Sequence, residues 1–382
     1  MVCTRMKRGF LPLALACAVV AFIAAAPASA GVKGADVSGW SKMQSEGYNL
    51  QKWDSWTNYD AFGMWKELGG NAVRIRIFYL PYLGPSGLSF NNPWDAAAMV
   101  RRAVEENLDV MLCFHYHHTF TDPGKQWRPM WPNRSYWADD RAQVARAVAT
   151  HTRNSIRTIL GDDEAMKNKI KQRIKWVQIG NELGSGMLWP TGGIAGRQKS
   201  DDPKFEGFKR IFNAGARASK RLLPNAKIVA HRENGLDLGA MKWFANTINK
   251  LGLEYDILGV SVYPNWGQEI DNARTLSKWI GSRPDDTWPN GDKRVNRRGF
   301  MVVEYGRPPE ANAAATADFN KMKSWNVKDD NFSGFFYWEP FAFGDFKPDN
   351  VYRYGKGATY KKYKDWAKTG APAAQLTAIA GD

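Results

Sequence analysis

Eight short runs of apolar and β-branched residues alternate with charged segments of helical spacing between Gly31 and Gly370. This alternation predicts an α/β chain folded as one (β/α)8 TIM barrel of parallel strands. Two further observations support that class. The span of roughly 340 residues suits eight strand–helix units with room for loop insertions. No Gly-rich phosphate turn follows any of the runs, which argues against a doubly wound open sheet.

The expected strands, in order, are Val32–Ser38, Asn71–Phe78, Leu108–His117 and Lys175–Leu183, then Lys227–Asn234, Asp256–Pro264, Gly299–Gly306 and Ser333–Pro340. Each is too short and too continuously apolar for a surface helix and reads as a strand buried on both faces. Four intervening segments carry apolar residues at three- and four-residue spacing: "DAAAMVRRAVEEN", "DRAQVARAVATHTRNSIRTIL", "FEGFKRIFNAGARASKRLL" and "AAATADFNKMKSW". The expected strands are lopsided. Polar and aromatic residues gather at their C-terminal ends: Arg74 and Arg76, then His115, His117 and His118, then Asn181 and Glu182. His231 with Glu233, Tyr263, Glu304, and Trp338 with Glu339 continue the series. That end of a (β/α)8 barrel carries function.

Residues 1–30 have the form of a removable export signal: basic Arg5, Lys7 and Arg8, the apolar run "FLPLALACAVVAFIAAA", and Ala28-Ser29-Ala30 before Gly31. The small-residue site argues against a retained membrane anchor. The apolar run continues past Cys17, which argues against a lipoprotein. The expected organisation is a signal over 1–30, a single barrel domain over 31–370 and a loose tail over 371–382. Secretion, either to a periplasm or outside the cell, follows. Cys3 and Cys17 would leave with the signal, so Cys113 stands alone and no intrachain disulfide is expected. The net charge is +15. Its positive residues are scattered, with no run resembling a nucleic-acid-binding arm. The densest basic–aromatic stretch, "YRYGKGATYKKYKDW" from Tyr352 to Trp366, reads as solvated helix surface or as an attraction to an acidic wall polymer or membrane surface. The 17 tryptophans exceed what a core readily hydrogen-bonds, and exposed indoles suit stacking on sugar rings.

Glu182 and Glu304 stand out because each ends an otherwise apolar run. A buried carboxylate is costly unless paired or protonated. One explanation is a salt bridge to Arg74 or Arg76 that closes the barrel mouth. The other is chemistry: two carboxyl groups flanking a cleft are what glycoside hydrolysis requires.

Seven stretches, in this order along the chain, then resemble one family: "KGADVS" (Lys33–Ser38), "VRIRIF" (Val73–Phe78), "TDPGKQ" (Thr121–Gln126), "QIGNELGSGMLWPTG" (Gln178–Gly192), "GVSVYPNW" (Gly259–Trp266), "VVEYG" (Val302–Gly306) and "GFFYWEP" (Gly334–Pro340). They are similar to family 53 of the glycoside hydrolases, the arabinogalactan endo-β-1,4-galactanases, in the large clan of retaining (β/α)8 glycosidases. The resemblance implies Glu182 as general acid/base, Glu304 as nucleophile, Asn181 on the sugar 2-hydroxyl and Arg74 beside the nucleophile. It further implies His115, Tyr263 and Trp338 around the cleaved bond, with Trp189, Trp266 and Trp131 as candidates for stacking neighbouring sugars. A polysaccharide substrate is expected, with no cofactor, no nucleic-acid partner, no membrane contact after signal removal, and a monomer.

The chain departs from the family after the third strand. Cys113 replaces an acidic residue, His117-His118 replace Ser-Asp, and Phe120 replaces tryptophan, while Glu233 stands where Asp is usual. These positions bear on which β-linked polymer is cut, with mannan or glucan as alternatives to galactan; a sugar-binding barrel without catalysis is the alternative of another class. Alternation would put Cys113, His115 and His117 on one strand face, a zinc-like donor set. One strand rarely supplies three ligands, so no metal is expected there. Asp345 and Asp349 are too sparse for a calcium loop.

Overall fold

The computed structural model describes residues 31–45, 50–51, 58–83, 90–129, 139–194, 203–264, 269–287, 293–294, 298–307 and 312–340. The expected signal, the basic–aromatic stretch, Asp345, Asp349, the tail, Trp131 and Trp266 lie outside these residues.

Eight parallel strands close into a barrel. In chain order they are β1 (Val32–Asp36), β2 (Ala72–Ile77), β3 (Asp109–Phe114), β4 (Ile174–Ile179), β5 (Lys227–Arg232), β6 (Ile257–Val262), β7 (Gly299–Tyr305) and β8 (Phe332–Tyr337). Each pairs with its neighbours in sequence, and β8 returns to β1 with Ala35 opposite Tyr337. The helices are α1 (Trp40–Ser45), α2 (Ala61–Glu67), α3 (Pro93–Glu105), α4 (Arg141–Leu160), α5 (Glu164–Arg173), α6 (Pro203–Leu222), α7 (Leu238–Leu251), α8 (Asp271–Ser282), α9 (Asn312–Ser324) and α10 (Val327–Asp330). Short polar side chains start many of them. Asp60, Asn92, Asp140, Asp163 and Asp237 each accept from backbone N–H groups of the first turn of α2, α3, α4, α5 and α7. Those donors have no partner within the helix. No helix among the described residues is long and apolar enough to cross a membrane.

Two separate apolar clusters follow from the alternation of side chains along each strand. The larger lies between barrel and helices and includes Ile75, Leu112, Val177, Ile228, Val260 and Val302 with Phe208, Phe212 and Phe244. The smaller is formed by the opposite parity: Ala72, Met111, Trp176, Val229, Ile257, Met301, Val303 and Phe336. Gly34 admits the ring of Phe336, because a Cβ there would stand 2.2 Å from it.

All eight expected strands occur, but they stop earlier than the apolar runs suggest. His115, Asn181, Glu182, Tyr263 and Trp338 therefore sit on the loops that leave the strands. The proposed shared face of Cys113, His115 and His117 is corrected for the same reason. β3 ends at Phe114, and Tyr116 takes a left-handed φ of 54°, which breaks the alternation. The Tyr116 hydroxyl is fixed 2.8 Å from Thr152 of α4.

Candidate active site

Above the small apolar cluster, the next inward positions are polar. Register puts Asp36 beside Arg74, Arg76 beside Cys113, Cys113 beside Gln178, and Ser261 beside Glu304. Arg74, fully buried, is the hub of this layer. It meets Asp36 Oδ2 at 2.7 Å and Glu304 Oε1 at 2.8 Å, and donates to Asn181 Oδ1 at 2.9 Å and Gln178 Oε1 at 3.2 Å. Its Nη2 also lies 3.0 Å from Cys113 Sγ. Burial pushes that thiol up to about 12, so Cys113 presents a neutral group to the guanidinium.

Glu304 reaches the interior through an irregularity. Gly259 pairs with Met301 and Val260 with Val302, but Ser261 pairs with Glu304, so Val303 is the extra residue. Strict alternation from Met301 and Val303, which both point inward, would turn Glu304 towards the helices. The bulge reverses the parity after Val303, as bulges beside functional sites often do. Glu304 Oε2 then accepts from the Tyr263 hydroxyl at 3.1 Å.

Glu182 arrives by a turn. Gly180 adopts φ 73°, and Glu182 itself lies in the left-handed region at φ 50°, ψ 62°. The loop is held from both sides. Gln126 Nε2 donates to the carbonyls of Asn181 (2.6 Å) and Glu182 (3.2 Å), and Gly184 N donates to Glu233 Oε2 at 3.0 Å. Ser261 bridges the two glutamates: its Oγ donates to Glu182 Oε1 at 2.8 Å and lies 3.4 Å from Glu304 Oε2. His231 Nε2 sits 2.8 Å from the same hydroxyl, and its Nδ1 faces Asn181 Oδ1 at 2.9 Å. Oxygens of Glu182 and Glu304 and a nitrogen of His231 fall within 4.8 Å of one another. A cation there would have to displace these bonds, because both His231 nitrogens are already engaged.

The two carboxyl groups differ in their surroundings. Burial raises the Glu182 pKa well above the ordinary value, and the nearby Glu304 charge raises it further; the Ser261 hydroxyl opposes. Burial raises Glu304 too, but Arg74 pulls it back. One proton shared by the pair therefore resides on Glu182. The buried His115 and His231 are held neutral, well below the usual imidazole range, by burial and by Arg74.

Of the other expected residues, Asn181 uses one amide hydrogen on the Thr121 carbonyl at 2.9 Å. His115 Nδ1 accepts from Thr121 N at 3.0 Å, which leaves its proton on Nε2. That nitrogen is buried with no partner among the described residues. Trp338 lies over Arg76 at 4.6 Å, and Phe120 lies over the same guanidinium at 4.7 Å. Arg76 also pairs with Glu339. Trp189 is tied down through Nε1 to Ser185 O at 2.9 Å and meets Trp127 edge-on at 5.3 Å. Trp127, half exposed, was not singled out from the sequence, although it directly follows "TDPGKQ". Gln178, Ser261 and Asp36 were also passed over, because each lies within a quoted run without ending it. His117 is not hydrogen-bonded to the glutamate pair, and burial lowers it to about 4.

The profile of glycosyl hydrolase family 53 matches residues 32–376. An endo-β-1,4-galactanase of Bacillus subtilis is 26% identical over 81% of this chain and 70% of its own length. An arabinogalactan endo-β-1,4-galactanase of Thermothelomyces thermophilus is 27% identical over 71% of this chain and 78% of its own. The solved structure of a fungal β-1,4-galactanase superposes with a TM-score of 0.62 at 23% identity, covering 80% of this chain and 88% of that one, a likeness of fold. The chain is therefore a glycoside hydrolase and belongs to glycosyl hydrolase family 53.

Proposed function

We propose that the protein is an exported, retaining endo-glycosidase that cleaves β-1,4-galactan of the pectic arabinogalactan type, with Glu304 as nucleophile and Glu182 as acid/base. The observation that carries this reading is the carboxyl pair itself, with oxygens within 4.8 Å of each other across the barrel mouth. Retaining enzymes hold their carboxyl groups about 5–5.5 Å apart, whereas inverting ones leave about 6.5–9.5 Å for a water. The names of the curated relatives direct the choice of polymer to galactan.

Arg74 and the Tyr263 hydroxyl stabilise ionised Glu304, one on each oxygen. A Glu304 oxygen bonds to the anomeric carbon as the glycosidic bond breaks, and the leaving oxygen takes the proton of Glu182. Esterification removes the Glu304 charge that had raised Glu182, so Glu182 now holds its own negative charge more readily. Glu182 then takes a proton from water, the water oxygen bonds to the anomeric carbon, and the ester bond to Glu304 breaks. The second amide hydrogen of Asn181 and the Nε2–H of His115 are available to donate to sugar hydroxyls. Export rests on the basic, apolar and small-residue segments of residues 1–30.

The test is reducing-end release from galactan, mannan and β-glucan by the mature protein and by Glu304→Gln. Release from galactan that falls by more than ~10^4-fold in the variant is expected. Release from mannan or glucan alone would keep the carboxyl pair and overturn the substrate. Undiminished release in the variant would overturn the role of Glu304.

A further inference from the structure

Basic charge on this chain is unevenly distributed. The 20-residue helices α4 and α6 together carry ten basic residues and one acid, Glu206. They pack side by side on the barrel's outer surface and frame a groove of about 390 Å³. Its walls are Arg146, Lys209, Arg210, Arg217 and Arg221, and its floor is made of small side chains such as Ala145 and Ala214. Arg217 pairs with Glu254, and Lys209 lies 3.9 Å from Glu206. The side chains of Arg146, Arg210 and Arg221 are exposed and have no partner among the described residues. Three guanidinium groups with no partner among the described residues leave this shallow trough a net positive field, with Glu206 the one acid among its lining residues.

The position of the groove ties it to the catalytic face. Both helices begin on loops that leave the C-terminal ends of strands. Near the start of α6, Gly207 touches the Thr191 carbonyl so closely that a Cβ would stand 2.1 Å away, and Thr191 is two residues beyond Trp189. The groove therefore starts beside the Trp189 loop and runs down the outside of the barrel.

We propose that this groove binds a carboxylate-bearing glycan, a polyuronate chain. A guanidinium fork pairs with a carboxylate through two parallel hydrogen bonds. The unpaired Arg210 and Arg221 lie eleven residues apart on one face of α6, about 16.5 Å along its axis, comparable to the length of three sugar units. The alanine floor accepts the flat apolar faces of sugar rings without a clash. A galactan carried on a uronate-rich backbone would present an acidic chain beside the neutral one. A site for that backbone beside a site for the neutral side chain would raise the local substrate concentration. This last consequence rests on the function proposed above; binding of the uronate does not.

The experiment is electrophoresis of the mature protein through gels containing polygalacturonate, neutral galactan or inorganic polyphosphate. Arg146→Ser/Arg210→Ser/Arg221→Ser removes the unpaired groove charges. Lys169→Ser/Lys171→Ser/Lys250→Ser, at exposed positions on α5 and α7, removes equal charge elsewhere. Retardation by polygalacturonate should be lost in the groove variant and kept in the control. Equal loss in both, or none in either, would overturn the proposal in favour of net charge alone. Stronger retardation by polyphosphate than by polygalacturonate at equal charge would overturn the choice of a uronate. In hydrolysis, the groove variant should match the parent on isolated galactan. On galactan still attached to its acidic backbone its KM should rise several-fold at constant kcat. If galactan is not cleaved at all, the proposed activity falls while the gels still decide the groove.

Discussion

The lower and upper halves of the barrel interior are built from the same eight strands and filled in opposite ways. Below, Met111, Trp176, Val229, Ile257, Met301, Val303 and Phe336 form a dry plug. Above, Asp36, Arg74, Arg76, Glu304 and Glu339 bring five ionisable groups into a space with almost no solvent. The plug holds the barrel by area removed from water. The polar layer gains little net stability, because desolvation offsets most of the attraction within its ion pairs. What it provides is placement: Arg74 alone contacts groups from four strands or their loops, β1, β3, β4 and β7. One half supports the fold, and the other fixes where its ionisable groups stand.

That division can be broken from either side. Glu182→Gln should lower hydrolysis by on the order of 10^2- to 10^4-fold with the fold intact. The same variant sharpens the comparison through pH. Glu182 binds its proton more tightly folded than unfolded, so stability declines as pH rises from the ordinary carboxyl range through the raised value. Urea midpoints measured across that window should fall for the parent and stay flatter for Glu182→Gln. An equal slope in both would place the buried proton elsewhere.

Trp176→Ala addresses the plug. Its indole packs edge-on to Phe336 at 6.0 Å, and truncation should cost about 3–5 kcal/mol of unfolding free energy. The pH profile of the remaining activity should keep its shape, because no titrating group is touched. A shifted profile would mean that the two halves are mechanically coupled.

The smallest effect belongs to Ser261→Ala. The lost hydroxyl donates to Glu182, and that bond lowers the carboxyl's pKa. The alkaline limb of kcat/KM, set by loss of the acid's proton, should move to higher pH. Stability should fall by only about 1 kcal/mol. A limb that moves to lower pH would overturn the bridging role.

The neutral Cys113 lies beside Arg74 at a position where the sequence reading expects a departure from the family, and it shows how far local reading extends. An acidic residue at that position would compete with Asp36 and Glu304 for the guanidinium. Here Arg74 has those two carboxylates as its ion-pair partners. The cysteine could be read from the chain, but its electrostatic consequence required knowing that folding brings its Sγ to 3.0 Å from Arg74 Nη2. Trp127 was invisible for a similar reason. Its importance comes from contact with Trp189, 62 residues further on, and nothing in its own neighbourhood signals that contact.

The strands, their order and the end of the barrel where polar and aromatic side chains gather were determined by the sequence, because apolar period and turn residues act over a few neighbours. Asn181-Glu182 after an apolar run and Glu304 after another were legible on the same grounds. Which way Glu304 points was not. Its face depends on the extra residue at Val303, which is defined only by pairing with β6, about forty residues earlier in the chain. The bridge of Ser261 and His231 between the two carboxyl groups likewise exists only in the closed barrel. Register is a property of paired strands, and only the tertiary structure pairs them.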